Sequence, residues 1–157
     1  MVNQKDVDVV VIGGGPAGCT AATLLKKEEP ALRVVLLEKA AFPRHHVGES
    51  MLPESGAILA KMGAVQLNEE AGFLRKGGAT FHWKAGREVF SEFFTREPGF
   101  RDDGEGRRVP MHAWQVVRSV YDAILLAHAR DTGVDVRVPA AVSGIIEEGE
   151  RVAGVRY

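Results

Sequence analysis

The sequence predicts an α/β fold that opens with a β-α-β unit, and three observations carry that prediction. An apolar, β-branched run from Val7 to Ile12 leads into Gly13-Gly14-Gly15-Pro16-Ala17-Gly18. A helix of small residues follows the turn. A second apolar run, Arg33 to Glu38, then ends on an acid twenty residues after Gly18. This order of strand, glycine turn, helix, strand and acid is the one that holds the pyrophosphate and ribose of a dinucleotide, so the fold is expected to be of Rossmann type.

The elements follow in order. Val7 to Ile12 reads as a buried strand because apolar residues occupy both of its faces. Pro16 opens the helix, where its missing N–H costs nothing. Ala17, Ala21, Ala22, Leu24 and Leu25 carry that helix to Lys26-Lys27-Glu28-Glu29-Pro30, which stops it. Arg33 to Glu38 supplies the second strand, parallel to the first through a right-handed crossover. Residues 41–55 read as loop, with Pro43, Gly48 and Pro53 as breakers, and Glu54 to Met62 as a short helix ended by Gly63. Ala79 to Trp83 and Glu88 to Phe94 read as paired strands, giving a small antiparallel insertion near 79–94. A polar, glycine-rich loop is expected from Glu97 to Arg108. Gln115 to Ala129 has helical spacing through Val116, Val120, Ile124 and Ala127, and Gly133 closes it. Val134–Val138, Val142–Ile146 and Val152–Tyr157 read as strands, the last two joined by a turn at Glu148-Gly149-Glu150.

Composition narrows the function classes. A chain of 157 residues has the size of one domain, which can bury roughly 68–70% of its unfolded surface. Its 20 basic and 21 acidic residues leave a net charge of −1, with no basic footprint for nucleic acid. Apolar residues make up 45% of the chain but never run unbroken for the ~18 residues of a membrane span. Cys19 is the single cysteine, which excludes an internal disulfide framework and a cysteine-built zinc site. A cytoplasmic setting is expected. No metal site is expected at His45-His46, which has no third ligand nearby in sequence, and Cys19 reads as a packing residue.

The turn residues have separable tasks. Gly13 permits the tight exit from the strand, Gly15 lets the backbone approach a pyrophosphate, and Gly18 lets the helix sit close to the sheet. Pro16 and Ala17 lie at a helix N-terminus, whose unpaired amides and dipole favour phosphate. Glu38, with Lys39 beside it, is expected to accept hydrogen bonds from the ribose hydroxyls, and its charge disfavours the 2′-phosphate of NADP.

After this acid comes Phe42-Pro43-Arg44-His45-His46-Val47-Gly48-Glu49-Ser50-Met51-Leu52-Pro53 in place of an ordinary crossover helix. Together with GGGPAG and QVVRSVYDAILLAHA, the run PRHHVGESMLP resembles the flavin-dependent halogenases. That family belongs to the wider group of FAD monooxygenases, which includes aromatic hydroxylases and geranylgeranyl reductases. The resemblance covers nearly the whole chain but only the N-terminal part of the family's usual length. It implies that residues 1–157 form the N-terminal part of an FAD-binding domain, incomplete at the C-terminus, with the substrate domain absent. It further implies FAD, supplied as FADH2 by a separate flavin reductase, as cofactor. Val47, Gly48 and Ser50 carry over as flavin neighbours and Arg44 to the adenosine-phosphate end. Arg118 carries over to the ribityl-pyrophosphate region, and Val142, at the start of a late strand, to a backbone contact with adenine.

The resemblance assigns catalysis to Lys76. In the family, reduced FAD and oxygen turn chloride or bromide into hypohalous acid, and a lysine directs that oxidant onto an electron-rich aromatic ring. Phe73 to Phe81 resembles the segment bearing this lysine. The chemistry favours an amine whose pKa falls on partial burial, since the neutral form is the nucleophile. By themselves, Arg75-Lys76-Gly77-Gly78 read as a solvated hairpin turn.

Two family features do not occur: the Trp-x-Trp-x-Ile-Pro motif and a later Gly-Asp flavin segment. Trp83 and Trp114 are isolated and read as packing residues. The expected function is halogenation of a small, electron-rich aromatic substrate, free or presented by a carrier protein. The alternatives are an aromatic hydroxylase or geranylgeranyl-type reductase on the same fold, and a truncated chain with no activity of its own whose last strands lack partners.

Overall fold

The computed structural model describes residues 6–83, 88–93 and 99–157. In chain order the elements are β1 (Val9–Ile12), α1 (Pro16–Glu28), β2 (Val34–Leu37), α2 (Pro53–Met62), α3 (Val65–Glu70), β3 (Leu74–Lys76), β4 (Gly78–Trp83) and β5 (Glu88–Phe93). They continue as β6 (Phe100–Asp102), β7 (Arg108–Pro110), β8 (Ala113–Gln115), α4 (Arg118–Asp131), β9 (Asp135–Arg137), β10 (Gly144–Glu148) and β11 (Arg151–Arg156). They fall into two compact units, Met1–His45 with Ser119–Tyr157, and His46–Arg118.

The first unit is built on a parallel three-stranded sheet in the order β1-β2-β9. Val9 pairs with Val34 on one side of β2, and Leu36 with Val136 on the other. As the central strand, β2 is buried at all four residues, which explains its continuous Val-Val-Leu-Leu run. Helix α1 packs on β1 and β2 through Cys19, Ala22 and Thr23. These contacts are small because helix and sheet approach closely: a Cβ at Gly18 would lie 1.9 Å from the Gly13 carbonyl oxygen.

Helix α4 departs from expectation. It starts at Arg118, because Gln115 belongs to β8. Beyond Arg118 its buried side chains are Tyr121, Asp122, Leu125, Leu126 and Ala129, whereas Val120 is exposed. The stripe expected along Val120, Ile124 and Ala127 is therefore displaced by one residue, toward the face that carries the larger Tyr and Leu surfaces. The expected strand from Val142 begins at Gly144, and Val142 itself lies in the preceding loop. Strands β10 and β11 pair with one another, Ile145 opposite Val155, so each supplies the other's partner.

Among its described residues the second unit holds three antiparallel pairs: β3 with β8, β4 with β5, and β6 with β7. Its core is Leu59, Met62, Ala64, Val109, Ala113, Trp114 and Val116. Helix α2 ends on Gly63 at φ +78°, as the sequence predicts, and Gly56 lets it pass close to β7, since a Cβ there would meet Pro110 Cγ at 2.6 Å. The pairing of 79–83 with 88–93 is present, with Phe81 opposite Phe90. The polar stretch expected as loop contains β6 and ends on the first residue of β7, Arg108, with Arg101 opposite Val109. Phe94, Glu97 and the side chain of Trp83 lie outside the described residues.

Candidate functional site

In the first unit the glycine turn is drawn tight. Gly13 has φ +105°, which disfavours any side chain, and its N–H donates to the Leu37 carbonyl at 2.8 Å. Gly15 is the N-cap of α1 and Pro16 follows it at the first helical position; no side chain caps the helix, and its first turn holds no acid. A Cβ at Gly15 would touch only the Arg44 guanidinium, at 3.8 Å. Ala17 is exposed on the first turn. An uncapped N-terminus beside an open glycine is the surface a pyrophosphate requires. In this respect the residues fit a dinucleotide.

Glu38 is buried, and both carboxylate oxygens already accept backbone N–H groups: Oε2 from Gly14 at 2.7 Å and Oε1 from Ala40 at 2.7 Å. The acid therefore ties the end of β2 to the glycine turn, and its remaining lone pairs are what a ribose would use. Lys39 is exposed. The Arg44 guanidinium lies 3.9 Å from the fully buried Asp122 carboxylate and 4.9 Å from the Phe42 ring centroid. Asp122, which the sequence reading missed, thus holds Arg44 beside Gly15; a lone acid inside an apolar helical stripe was the available signal.

Cys19 is fully buried and its thiol donates to the Gly14 carbonyl oxygen at 3.2 Å. Burial, with the nearby Asp122 and Glu38 carboxylates, pushes its pKa up to about 12, so it packs and does not react.

In the second unit, Val47-Gly48-Glu49-Ser50 forms a turn stitched to the strand beside it. The Val116 N–H donates to the Glu49 carbonyl at 2.8 Å, the Met51 N–H donates to the Trp114 carbonyl at 3.0 Å, and Ser50 bridges to Gln115. Arg118 is buried and its Nη1 donates to the Val47 and Gly48 carbonyl oxygens. Gly48 has φ +93°, and a Cβ there would meet that guanidinium at 3.1 Å, so glycine is required twice over.

Lys76 sits at the end of β3 opposite Ala113, on a strand and not in a turn. Its Nζ donates to Ser50 Oγ at 2.7 Å. Burial lowers its pKa from the ordinary lysine value. The structure thus brings Lys76, Ser50, Gly48, Val47 and Arg118 into one neighbourhood. Val47 is exposed there, and so is Leu74 on β3.

Trp114 is fully buried and packs as expected, but its indole N–H also donates to Glu69 Oε1 at 3.1 Å. The same carboxylate takes the Arg75 guanidinium and lies 3.4 Å from His112 Nε2. The Glu69–Trp114 contact spans 45 residues, and nothing in local periodicity announces it.

Among the described residues no helix is long and apolar enough to cross a membrane. The tryptophan halogenase family matches residues 8–102. The tryptophan 2-halogenase of Chondromyces crocatus is 37% identical over 149 residues, covering 95% of this chain and 26% of that protein. The 1H-pyrrole-2-carbonyl-[peptidyl-carrier protein] chlorinase of Pseudomonas fluorescens is 35% identical over 146 residues, with coverage of 86% and 31%. Among solved structures, the myxobacterial chondrochloren halogenase, a variant of the FAD-dependent halogenases, superposes with a TM-score of 0.79 at 43% identity. That match covers 96% of this chain and 32% of the other. The chain spans about a quarter to a third of the length of these relatives.

Proposed function

The chain belongs to the tryptophan halogenase family, and from that premise we propose that the protein is a flavin-dependent halogenase. Its substrate is a small, electron-rich aromatic ring, and its co-substrates are oxygen and chloride or bromide. Reduced FAD, when bound, supplies together with oxygen the oxidising equivalents that convert halide to hypohalous acid. We read residues 1–157 as the N-terminal part of its FAD-binding domain.

The residues divide the work. Gly13, Gly15, Pro16, Ala17 and Gly18 hold the pyrophosphate on main-chain amides. Glu38 grips the adenosine ribose with Lys39 alongside, Arg44 faces the adjoining phosphate, and the backbone at Val142 meets the adenine. Val47, Gly48 and Ser50 line the flavin, and Arg118 braces that turn through two carbonyl oxygens. Lys76 directs the oxidant onto the ring by offering a partly desolvated amine.

The observation that carries this reading is the Lys76–Ser50 hydrogen bond of 2.7 Å, which joins the candidate catalytic amine to the turn assigned to the flavin. A separate flavin reductase supplies the reduced cofactor. The carrier-bound pyrrole named for the Pseudomonas fluorescens relative is the reason to offer substrates both free and carrier-linked. A cytoplasmic setting, which the single buried thiol fits, is part of the same reading.

In the intact protein, Lys76→Ala should abolish halogenated product while FAD still binds. An unimpaired Lys76→Ala enzyme would remove the lysine from the mechanism. Flavin fluorescence that stays unchanged on titration with the intact protein would remove the cofactor site itself.

A further inference from the structure

We propose that Glu69 is a positioning residue for Lys76, acting through the β3–β8 ribbon from the face opposite the amine. The inference rests on the reading of Lys76 as the residue that directs the oxidant.

In an antiparallel pair, residues directly opposite one another share a face and successive residues alternate. The register sets Leu74 opposite Gln115, Arg75 opposite Trp114, and Lys76 opposite Ala113. Lys76 and Ala113 therefore lie on one face and Arg75 and Trp114 on the other. Ser50, bridged to Gln115 from the far edge of β8, belongs to the lysine's face. The lysine thus reaches across β8 to the serine hydroxyl. That 2.7 Å contact holds only while three separate segments keep their places.

On the other face a single carboxylate collects the donors of both strands. Glu69, on α3, takes the guanidinium of Arg75 from β3. It accepts the Trp114 indole N–H of β8 at 3.1 Å and lies 3.4 Å from Nε2 of His112, the residue before β8. His112 and Trp114 are fully buried, their rings edge to face with centroids 5.0 Å apart, and Phe100 closes the other side of the imidazole at 5.8 Å. Burial pushes the Glu69 carboxyl up, but Arg75, His112 and Trp114 outweigh it and hold the group below the usual glutamate range. A charged acceptor in this setting is stronger than a neutral one and fixes direction as well as distance. Replacing it frees β3 and β8 to slide, and the lysine amine moves with them.

The test uses the intact protein with reduced FAD, halide and an aromatic substrate. Glu69→Gln keeps size and shape but loses the charge. We expect halogenated product per flavin oxidised to fall about tenfold or more, since misplacing a reacting group by about 1 Å costs on the order of a hundredfold. The KM for the aromatic substrate and the FAD affinity should each stay within about twofold, because a positioning effect falls on turnover and Glu69 contacts none of the residues assigned to FAD. Competitive acylation of Lys76, read by mass spectrometry against the unfolded chain, should shift at least about threefold in rate. Arg75→Met, at a half-exposed side chain, should reproduce the effect more weakly and decides the matter where Glu69→Gln does not fold. Wild-type product yield and unchanged Lys76 acylation in a folded variant would overturn the proposal. A fully active Lys76→Ala enzyme would instead overturn the reading of the lysine, while the acylation rates would still report whether Glu69 positions it.

Discussion

Lys76 Nζ donates to Ser50 Oγ at 2.7 Å across 26 residues of chain. Neither residue chooses this partner locally: Ser50 is held by its bridge to Gln115 and Lys76 by its pairing with Ala113. Strand β8 is thus the ruler against which both are measured, and its central residue, Trp114, is wholly buried.

Ser50→Ala removes the acceptor and leaves the backbone bridge intact. Halogenated product per reduced flavin should fall about three- to tenfold, matching roughly 0.6–1.4 kcal/mol for one hydrogen bond. FAD affinity should change little, because the flanking amides remain. Product quantification beside flavin titration of the same preparation checks both halves, and an unchanged yield would detach the hydroxyl from the lysine's role.

Burial depresses the Lys76 pKa, which fixes the sign of two pH effects. At any pH below the ordinary lysine value the folded protein has the larger neutral fraction, so its acylation curve lies to the acid side of that of the unfolded chain. For stability, the folded state binds its proton less tightly than the unfolded one. The penalty is full below the folded pKa, shrinks as pH rises from the folded to the unfolded value, and is gone above the latter, ~10.4. Lys76→Met should therefore eliminate product, and its Tm relative to wild type should fall as pH rises toward ~10.4, because the charge penalty it relieves is gone there while the lost Ser50 hydrogen bond is not. A Tm difference that does not change with pH would contradict the assignment.

Gly15 and Gly18 separate binding from folding. A Cβ at Gly18 would lie 1.9 Å from the Gly13 carbonyl oxygen, so Gly18→Ala should cost about 1–3 kcal/mol in denaturant unfolding. At Gly15 the nearest atom is the Arg44 guanidinium at 3.8 Å. Gly15→Ala should leave stability within about 0.5 kcal/mol of wild type. It should nonetheless weaken FAD binding by roughly tenfold, because the added methyl group occupies the approach to the pyrophosphate. Equal effects of the two substitutions on unfolding would refute the distinction.

The β-α-β unit was legible because its signals are local. Val9–Ile12, Gly13 to Gly18 and Val34–Leu37 each declare their conformation within a few residues, and the parallel pairing follows. Strands β3, β6, β7 and β8 were not legible, at three residues each and with sequences such as Phe-Arg-Asp and Ala-Trp-Gln. Strands so short take their identity from distant partners. Helix α4 shows another failure: Val120 satisfied the spacing, but Tyr121, Leu125 and Leu126 bury more surface, and the larger area decided the face. In the candidate site, the glycines and Glu38 were visible as residue types at meaningful spacings, whereas Lys76 was offered only by the family resemblance. The groups that hold others in place, Asp122 behind Arg44 and Glu69 behind the β3–β8 ribbon, depend on contacts that no spacing encodes.

The mutual fit of Gly48 and Arg118 limits how this loop can be redesigned. A side chain at 48 would press on the guanidinium, and a shorter residue at 118 would release the turn, so neither position tolerates randomisation alone. The exposed Leu52 and Leu74 carry no such mutual constraint, so variation there leaves the couple intact.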